Sequence, residues 1–521
     1  MKRVYLVLLL VCLALGFATV VDFSGAHVSA QDNSSGPAKR WVVIFHTQSS
    51  LPSNVDKRVA DAGGTLAAQL PEVGAVAVVS SDPDFAAKMA QDASVSDVAE
   101  DIEVQMIPTA AEMHIQEVGD PNAAGDGPVE PPGSDAQTGS EPFYNAFQWD
   151  KKRMRASNQG SYAVQQGRPD VVVAVLDTGA QILPSPHPDI QPNLDTARSR
   201  SFFPVQPNPN GDPNPVAWDD RNGHGTHCLS AVGAPINGIG MSGVAPRVRL
   251  VALKTLGDNG SGSFVSLAQA LIYAGVNKFD VASMSLSNYL SHSNPNAKPL
   301  IKFVQRAVNF ARENGVTPIA SLGNDSFNVS DGDFFKDFIT VPAELDGVIG
   351  VSATGYFNLK ASYSNYGVGK TDITAPGGDF AVQAPSQNFP GLGSVLGAWA
   401  PDNPDLPGAL YVFASGTSMS CPNAAGVCAL IISQYGDFTT NGNGRKEHMS
   451  PQRVEAYLQQ TANNQPCPEP REVNYFLLSP PFPPNTPVPD VLPNQRCQGD
   501  AGYNNFYGKG IVDAFKAVTT K

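Results

Sequence analysis

Five short apolar runs, at 171–176, 249–253, 280–286, 316–321 and 348–353, constrain this chain more than any other feature. None alternates polar with apolar residues as a half-buried strand does, so each is read as a strand buried on both faces. Helical stretches, 266–277 and 300–314 among them, fall between the runs. Strands alternating with helices predict an α/β domain of three layers, with a mainly parallel central sheet covered on both faces. In such sheets reactive residues gather at the carboxyl ends of the strands.

Those ends carry a set of residues with complementary chemistry. The first run finishes on Asp177-Thr178-Gly179, a carboxylate leaving a strand as the backbone turns on glycine. Asn222-Gly223-His224-Gly225-Thr226-His227-Cys228 places His224 between two glycines at the start of an apolar helical run. Leu322-Gly323-Asn324-Asp325 follows a buried strand and offers a carboxamide donor. Ser415-Gly416-Thr417-Ser418-Met419-Ser420-Cys421-Pro422-Asn423 sets one hydroxyl among small residues just before a long helix, where free amides and the helix dipole favour negative charge. A serine hydroxyl becomes a nucleophile only when a base removes its proton and donors receive the oxyanion. Ser418, His224, Asp177 and Asn324 supply those parts. Taken singly, each has an ordinary structural reading, such as a helix cap, a buried histidine or a turn carboxylate. Their types, order and local contexts together select catalysis. Gly416-Thr417-Ser418-Met419-Ser420 lacks the last glycine of a G-x-S-x-G elbow, which argues against an α/β-hydrolase.

These motifs identify a resemblance. Residues 143–521 resemble a subtilisin-type (subtilase) serine endopeptidase, with Val244-Ala245-Pro246, Ala375-Pro376-Gly377 and Tyr507-Gly508-Lys509-Gly510 among the matching segments, and residues 40–107 resemble the inhibitory propeptide of that family. The resemblance implies that His224 takes the proton of Ser418, that Asp177 orients the imidazole, and that Asn324 and the Ser418 amide form the oxyanion hole. It implies that Gly260-Ser261-Gly262 and Ser285-Leu286-Ser287, with Gly323 beside the oxyanion donor, hold an extended polypeptide substrate as an added strand. It further implies a structural calcium ion and no catalytic cofactor. Asp189, in His187-Pro188-Asp189, is similar to the family's calcium-ligand aspartate, and the 235–241 loop would add Asn237 and the carbonyls of Ile239 and Met241. The cysteine after His227 is similar to that of the proteinase K branch. Departures from the family pattern are Ser287 and Asn288 where glycines are frequent, Asn423 in place of a histidine, and Ser230-Ala231 in place of Gly-Thr. The stretches 379–411 and 467–497 read as insertions.

The 40–107 stretch patterns as β-α-β-β-α-β, a small ferredoxin-like α+β unit, which reads as an intramolecular chaperone and inhibitor or, in its other reading, as a separate adhesive or folding module. Residues 108–142 read as an exposed acidic linker, because 109–142 carries seven acids, no Lys or Arg, and many Gly, Pro and Ala. Met1-Lys2-Arg3, the apolar run after it and Val28-Ser29-Ala30 predict a secretory signal peptide over 1–30, with Cys12 a residue of its apolar core, and hence a secreted protein. Five of the six cysteines lie beyond that segment. Cys467 and Cys497 flank a proline-rich stretch that they are placed to staple, whereas Cys228, Cys421 and Cys428 lie in apolar helical segments and read as buried thiols. A net charge of -14 with no basic run excludes a nucleic-acid or anionic-membrane partner. The expected product is a monomeric zymogen whose own propeptide is its first inhibitor, cut between residues 107 and 143. The competing readings are a catalytically silent scaffold on the same fold and a processing protease of narrow specificity.

Overall fold

The structure is a computed structural model that describes residues 37–118, 136–204, 215–331, 337–382, 393–439, 448–475 and 494–520. The expected signal segment lies outside them, as do parts of the 108–142 connector and of both expected insertions.

The amino-terminal unit runs β1 (Lys39–Phe45), α1 (Val55–Asp61), β2 (Thr65–Leu70), β3 (Ala75–Ser80), α2 (Phe85–Met89) and β4 (Val95–Glu100). Its four strands pair antiparallel in the order β2-β3-β1-β4. Both faces of this sheet are covered, which is why β1 is apolar at every position from Trp41 to Phe45. Val43 and Phe45 face α1 and α2, meeting Val55, Val59, Phe85 and Met89. Val42 and Ile44, on the alternate face, enter the core of the larger domain beside Phe303 and Val304. Burying each such side chain is worth about 1.5–3 kcal/mol, so the unit is docked by its sheet rather than tethered by its chain. Asp101 closes the seam by pairing with Arg40 at 2.7 Å and accepting the Val265 amide at 3.2 Å.

Sequence and structure differ at the end of this unit and in the connector after it. The last strand of the 40–107 pattern is two elements, because after β4 the chain leaves the sheet and forms β5 (Val104–Gln105) against the larger domain. The expected exposed linker is in part docked. Residues 109–114 form a turn, β6 (Gln116–Glu117) joins another sheet, and Met113, Gln137 and Glu141 are buried. Composition predicted exposure because this stretch cannot fold by itself, yet it finds backbone partners on a surface already folded. Residues 119–135 lie outside the described residues.

The larger domain places helix α3 (Trp149–Arg153) before β7 (Val172–Asp177), β8 (Arg200–Ser201), α4 (His224–Gly233), β9 (Arg249–Lys254), β10 (Ser261–Gly262), α5 (Phe264–Val276) and β11 (Val281–Met284). Next come β12 (Asn288–Ser291), α6 (Ala297–Glu313), β13 (Thr317–Ser321), β14 (Phe338–Val341), β15 (Ile349–Thr354), β16 (Ile373–Pro376), β17 (Val395–Ala398), β18 (Tyr411–Ala414) and α7 (Thr417–Tyr435). Seven strands form one sheet in the order β16-β15-β13-β11-β7-β9-β8, every pairing parallel. One face is covered by α5 and α6; α6 buries Leu300, Phe303, Val304, Ala307, Val308 and Ala311, the spacing of a single helical stripe. The other face carries α4 and α7, and α7 is buried along nearly its whole length, as a helix apolar all round must be. β9 and then β8 add on one side of β7 and β11, β13, β15 and β16 on the other, so the direction of strand addition reverses beside the end of β7, where Asp177 stands.

Candidate active site

Asp177 is the last residue of β7, and its Oδ1 lies 2.7 Å from His224 Nδ1, with both side chains fully buried. The same oxygen accepts the Thr178 amide at 2.7 Å, which fixes the carboxylate plane. His224 opens α4 directly after Gly223, whose φ of +97° only glycine adopts without strain. A Cβ on Gly223 would also strike the Trp399 ring at 2.4 Å, and one on Gly225 would strike Gly179 O at 2.4 Å. The two glycines thus let the histidine helix meet the Asp177 turn backbone to backbone, where Gly225 N donates to Thr178 Oγ1 at 2.8 Å.

The start of α4 is fastened by Asp220. Its Oδ1 accepts the amides of Asn222 and Gly223, and its Oδ2 accepts the amide and hydroxyl of Thr226, all at 2.7–3.0 Å. These bonds satisfy amides that a helix start leaves without intrahelical partners. No sequence motif singled out Asp220; its signal is a short acceptor side chain just ahead of a glycine helix cap.

Ser418 lies in the first turn of α7 and is buried. Pro422, four residues on, has no N–H to offer the Ser418 carbonyl. That carbonyl instead accepts the Ser285 hydroxyl at 2.8 Å, with the Cys228 thiol at 3.5 Å. Cys228 Sγ is also 3.9 Å from His224 Nδ1, so the imidazole and the Ser418 backbone lie on two sides of one thiol. Ser418 Oγ donates to Ser285 O at 3.2 Å, and His224 Nε2 is buried without a hydrogen bond to any described residue. Asp177, His224 and Cys228 offer ligand atoms close enough together for a metal ion. Cys228 is ill suited to that use, since burial, with Asp177 alongside, pushes its thiol well above the ordinary range and holds the proton on sulfur.

Asn324 lies three residues after β13, and its Oδ1 accepts both the amide and the hydroxyl of Thr417 at 2.8 and 2.9 Å. The loop that carries it is shaped by Asn365, which donates to Leu322 O and accepts the amides of Asp325 and Phe327. Gly323 takes φ +105° and donates to Thr417 Oγ1 at 3.3 Å. Thr417 and Asn365 hold the donor in place, roles that no sequence feature marked.

Gly260-Ser261-Gly262 and Ser285-Leu286-Ser287 flank a stretch of this same chain. β5 pairs antiparallel with β10, Gln105 opposite Ser261 and Val104 opposite Gly262. Met106 N donates to Gly260 O at 3.2 Å and Ser287 N donates to Met106 O at 2.9 Å, so Met106 is bonded from both sides. Asn288 Nδ2 reaches Gln105 O at 3.1 Å. Ser287 and Asn288, two departures from the family pattern, are therefore in direct contact with the bound segment. Leu286 is buried beneath them.

Asp189 lies in a different region, with its Oδ2 accepting the Met241 amide at 2.9 Å and the Tyr411 hydroxyl at 2.8 Å. Its Oδ1 is buried without a hydrogen bond to any described residue, and burial pushes the carboxyl up to about 6. Glu141, also buried and also pushed up by burial, accepts the Gly238 amide at 2.8 Å in the same loop. Asn237 Oδ1 accepts the Ile239 amide at 3.2 Å. Two buried carboxylates, with Asp189 Oδ1 making no hydrogen bond to a described residue, fit a hard cation, and no sequence motif marked Glu141.

Residues 168–510 match the subtilase family, Peptidase S8. The chain is 37% identical over 261 residues to M-protease of Shouchella clausii, covering 50% of this chain and 53% of that protein, and 36% identical to Subtilisin Savinase of Lederbergia lenta, covering 76% of that protein. It thus spans about half the length of the first of these relatives. Among solved structures, the epidermin leader peptide processing serine protease of Staphylococcus aureus aligns over 93% of this chain and 98% of its own, with a TM-score of 0.65 and 20% identity. Fervidolysin of Fervidobacterium pennivorans aligns over 94% of this chain and 62% of its own, with a TM-score of 0.59 and 18% identity.

Proposed function

The chain belongs to the subtilase family, and from that premise we propose that it is a secreted serine endopeptidase made as a self-processing zymogen. The observation that carries the proposal is the buried 2.7 Å bond between Asp177 and His224 beside the start of the Ser418 helix. His224 Nε2 takes the Ser418 proton as Oγ attacks a peptide carbonyl, and Asp177 holds the ring in the tautomer that leaves Nε2 free. The oxyanion is received by Asn324 Nδ2, whose orientation Thr417 sets, and by the Ser418 amide. The leaving amine collects the proton from His224, and water then releases the acyl group by the same steps in reverse order.

Substrate binds as an added strand against 260–262 and 285–287, the position that residues 104–106 of this chain take in the structure. That occupancy supports reading residues 40–107 as an inhibitor docked on its own enzyme. Asp189, Asn237, Glu141 and the carbonyls of Ile239 and Met241 would hold a structural calcium ion remote from the nucleophile. No step of the reaction uses it. Calcium removal by a chelator is expected to lower the melting temperature and calcium to restore it.

Labelling by a serine-directed fluorophosphonate tests the catalytic reading. After processing, the wild-type chain is expected to label and Ser418→Ala to remain blank. A folded, processed wild-type protein that does not label would mean that the chain is a silent scaffold.

A further inference from the structure

Three buried polar side chains close to the nucleophile helix take no part in the proposed hydrolysis. Asp150 and Lys151 are neighbours in α3, and Asn423 lies in α7 beyond Ser418, where the family pattern has a histidine. All three are fully buried. Lys151 Nζ donates to Asp150 Oδ2 at 2.6 Å and to Asn423 Oδ1 at 2.7 Å. Asn423 Nδ2 donates to the same Asp150 oxygen at 3.2 Å and to Pro376 O at 3.0 Å. An amine, a carboxamide and a carboxylate thus meet at one point, closed off from solvent.

We propose that Lys151 and Asn423 become joined by an intramolecular isopeptide bond, a covalent cross-link between α3 and the nucleophile helix that forms with Asp150 as proton carrier. The modification goes beyond the protease reading and does not rest on it, since no atom of Ser418 or His224 takes part.

The reaction balances within the three side chains. Lys151 passes one proton to Asp150 Oδ2 across their 2.6 Å bond, leaving a neutral amine and a carboxylic acid. The amine nitrogen attacks Cγ of Asn423, and an Nζ–Cγ bond forms. As the tetrahedral adduct collapses, Asp150 gives its proton to Nδ2 and takes one from Nζ, the Cγ–Nδ2 bond breaks, and ammonia leaves. Nothing is oxidised or reduced. Asp150 ends as a neutral acid and the lysine nitrogen as a secondary amide.

The geometry suits each part of this step. One carboxylate oxygen touches both the nucleophile and the leaving group, the placement that a proton carrier between them needs. Nζ is held against the carboxamide it attacks, and groups fixed in this way react as though at very high local concentration. Burial keeps out the water that would otherwise compete for the carboxamide. His227 is a second basic group near Lys151, but burial, with His224 and Lys151 nearby, holds its imidazole down at about 3, so it does not compete with Asp150 for the proton. Burial also favours the product. An ion pair in an apolar interior needs its remaining lone pairs satisfied, and Asp150 Oδ1 makes no hydrogen bond to a described residue. The cross-link takes both charges out of the core, and the loss of ammonia makes it permanent. It spans 272 positions and encloses β7 through β18, so it restricts the unfolded chain as a disulfide does, without the need for an oxidant.

Mass spectrometry of the full chain carrying Ser418→Ala, and of the processed wild-type chain, tests the bond. After denaturation, reduction and digestion, the expected product is a branched peptide that contains Lys151 and Asn423 and is lighter than the two unlinked peptides together by the mass of one ammonia. Lys151→Met, which has no nucleophile, should give none of it. Asp150→Asn, which keeps the size of the side chain but carries no proton, should form it about a hundredfold more slowly. A wild-type chain that melts cooperatively yet yields Lys151 and Asn423 only in unlinked peptides would overturn the bond. Equal rates in wild type and Asp150→Asn would overturn the role of Asp150. A cross-linked chain without hydrolytic activity would uphold the bond and count against the protease reading, and an active enzyme without the cross-link would do the reverse.

Discussion

The carboxamide oxygen of Asn324 accepts two hydrogen bonds from Thr417, one from its amide and one from its hydroxyl. An amide whose oxygen is held in this way presents its NH2 group in the other direction, so Thr417 fixes where the proposed oxyanion donor points. In the proposed mechanism Asn324→Ala removes a donor used in the transition state more than in the ground state. The expected result is a kcat lower by about 10²–10³ with KM little changed, measured by steady-state hydrolysis of a peptide substrate. Thr417→Val should give a smaller loss of the same kind, since it leaves the amide bond and removes the hydroxyl.

The proposed self-processing requires Ser418. N-terminal sequencing of the secreted Ser418→Ala chain is expected to find no cut between residues 107 and 143. A mutant processed like the wild type would show that another protease makes the cut.

A pH dependence of stability arises from Asp372, whose Oδ2 accepts the Gly350 amide at 2.8 Å and whose carboxyl burial pushes up to about 6. Its folded value lies above its unfolded value, so the folded chain binds the proton more readily than the unfolded one. The contribution of Asp372 is therefore fully present below about pH 4 and is lost as the pH rises through about 6. Asp372→Asn keeps an acceptor for Gly350 and removes the buried charge. Denaturant unfolding in the Ser418→Ala background should show the variant more stable by up to about 3 kcal/mol at neutral pH and no more stable at acid pH. A stability difference that does not change with pH would refute this role.

The thiols of Cys228, Cys421 and Cys428 are buried, and burial raises all three, Cys421 to about 12. Native protein in mildly alkaline buffer is expected to release no colour with a disulfide thiol reagent, whereas protein in concentrated guanidinium should react at all three. Rapid reaction of Cys228 in the native state would show that the space beneath His224 opens to solvent. Cys467 and Cys497, joined in the structure, should stay silent in both conditions without a reductant.

Much of the site was legible in the sequence because its parts are local. Asp177, His224, Asn324 and Ser418 each sit beside a glycine or a small residue at the end of an apolar run, and such ends face one edge of a parallel sheet. The supporting contacts were not legible. Asp220 reads as an ordinary polar residue until its carboxylate is seen holding four groups at the start of α4. The linker misled for a related reason: composition reports whether a segment folds alone, and residues 109–118 do not fold alone but bind a surface made elsewhere in the chain.

Local pattern alone marked five of the seven sheet strands, their parallel arrangement and the residue types at their ends, because burial periodicity and turn chemistry act over a few neighbouring residues, while the short β8 and β16 carried no such pattern. Packing of the layers set Thr417 against Asn324 across 93 positions and paired Gln105 with Ser261. It alone placed Met113 in a pocket built from helix α3, residues 356 and 399, and the first turn of α7. These pairings depend on which surfaces meet when the layers close, and that information is shared by residues too far apart in the chain for any local pattern to carry it.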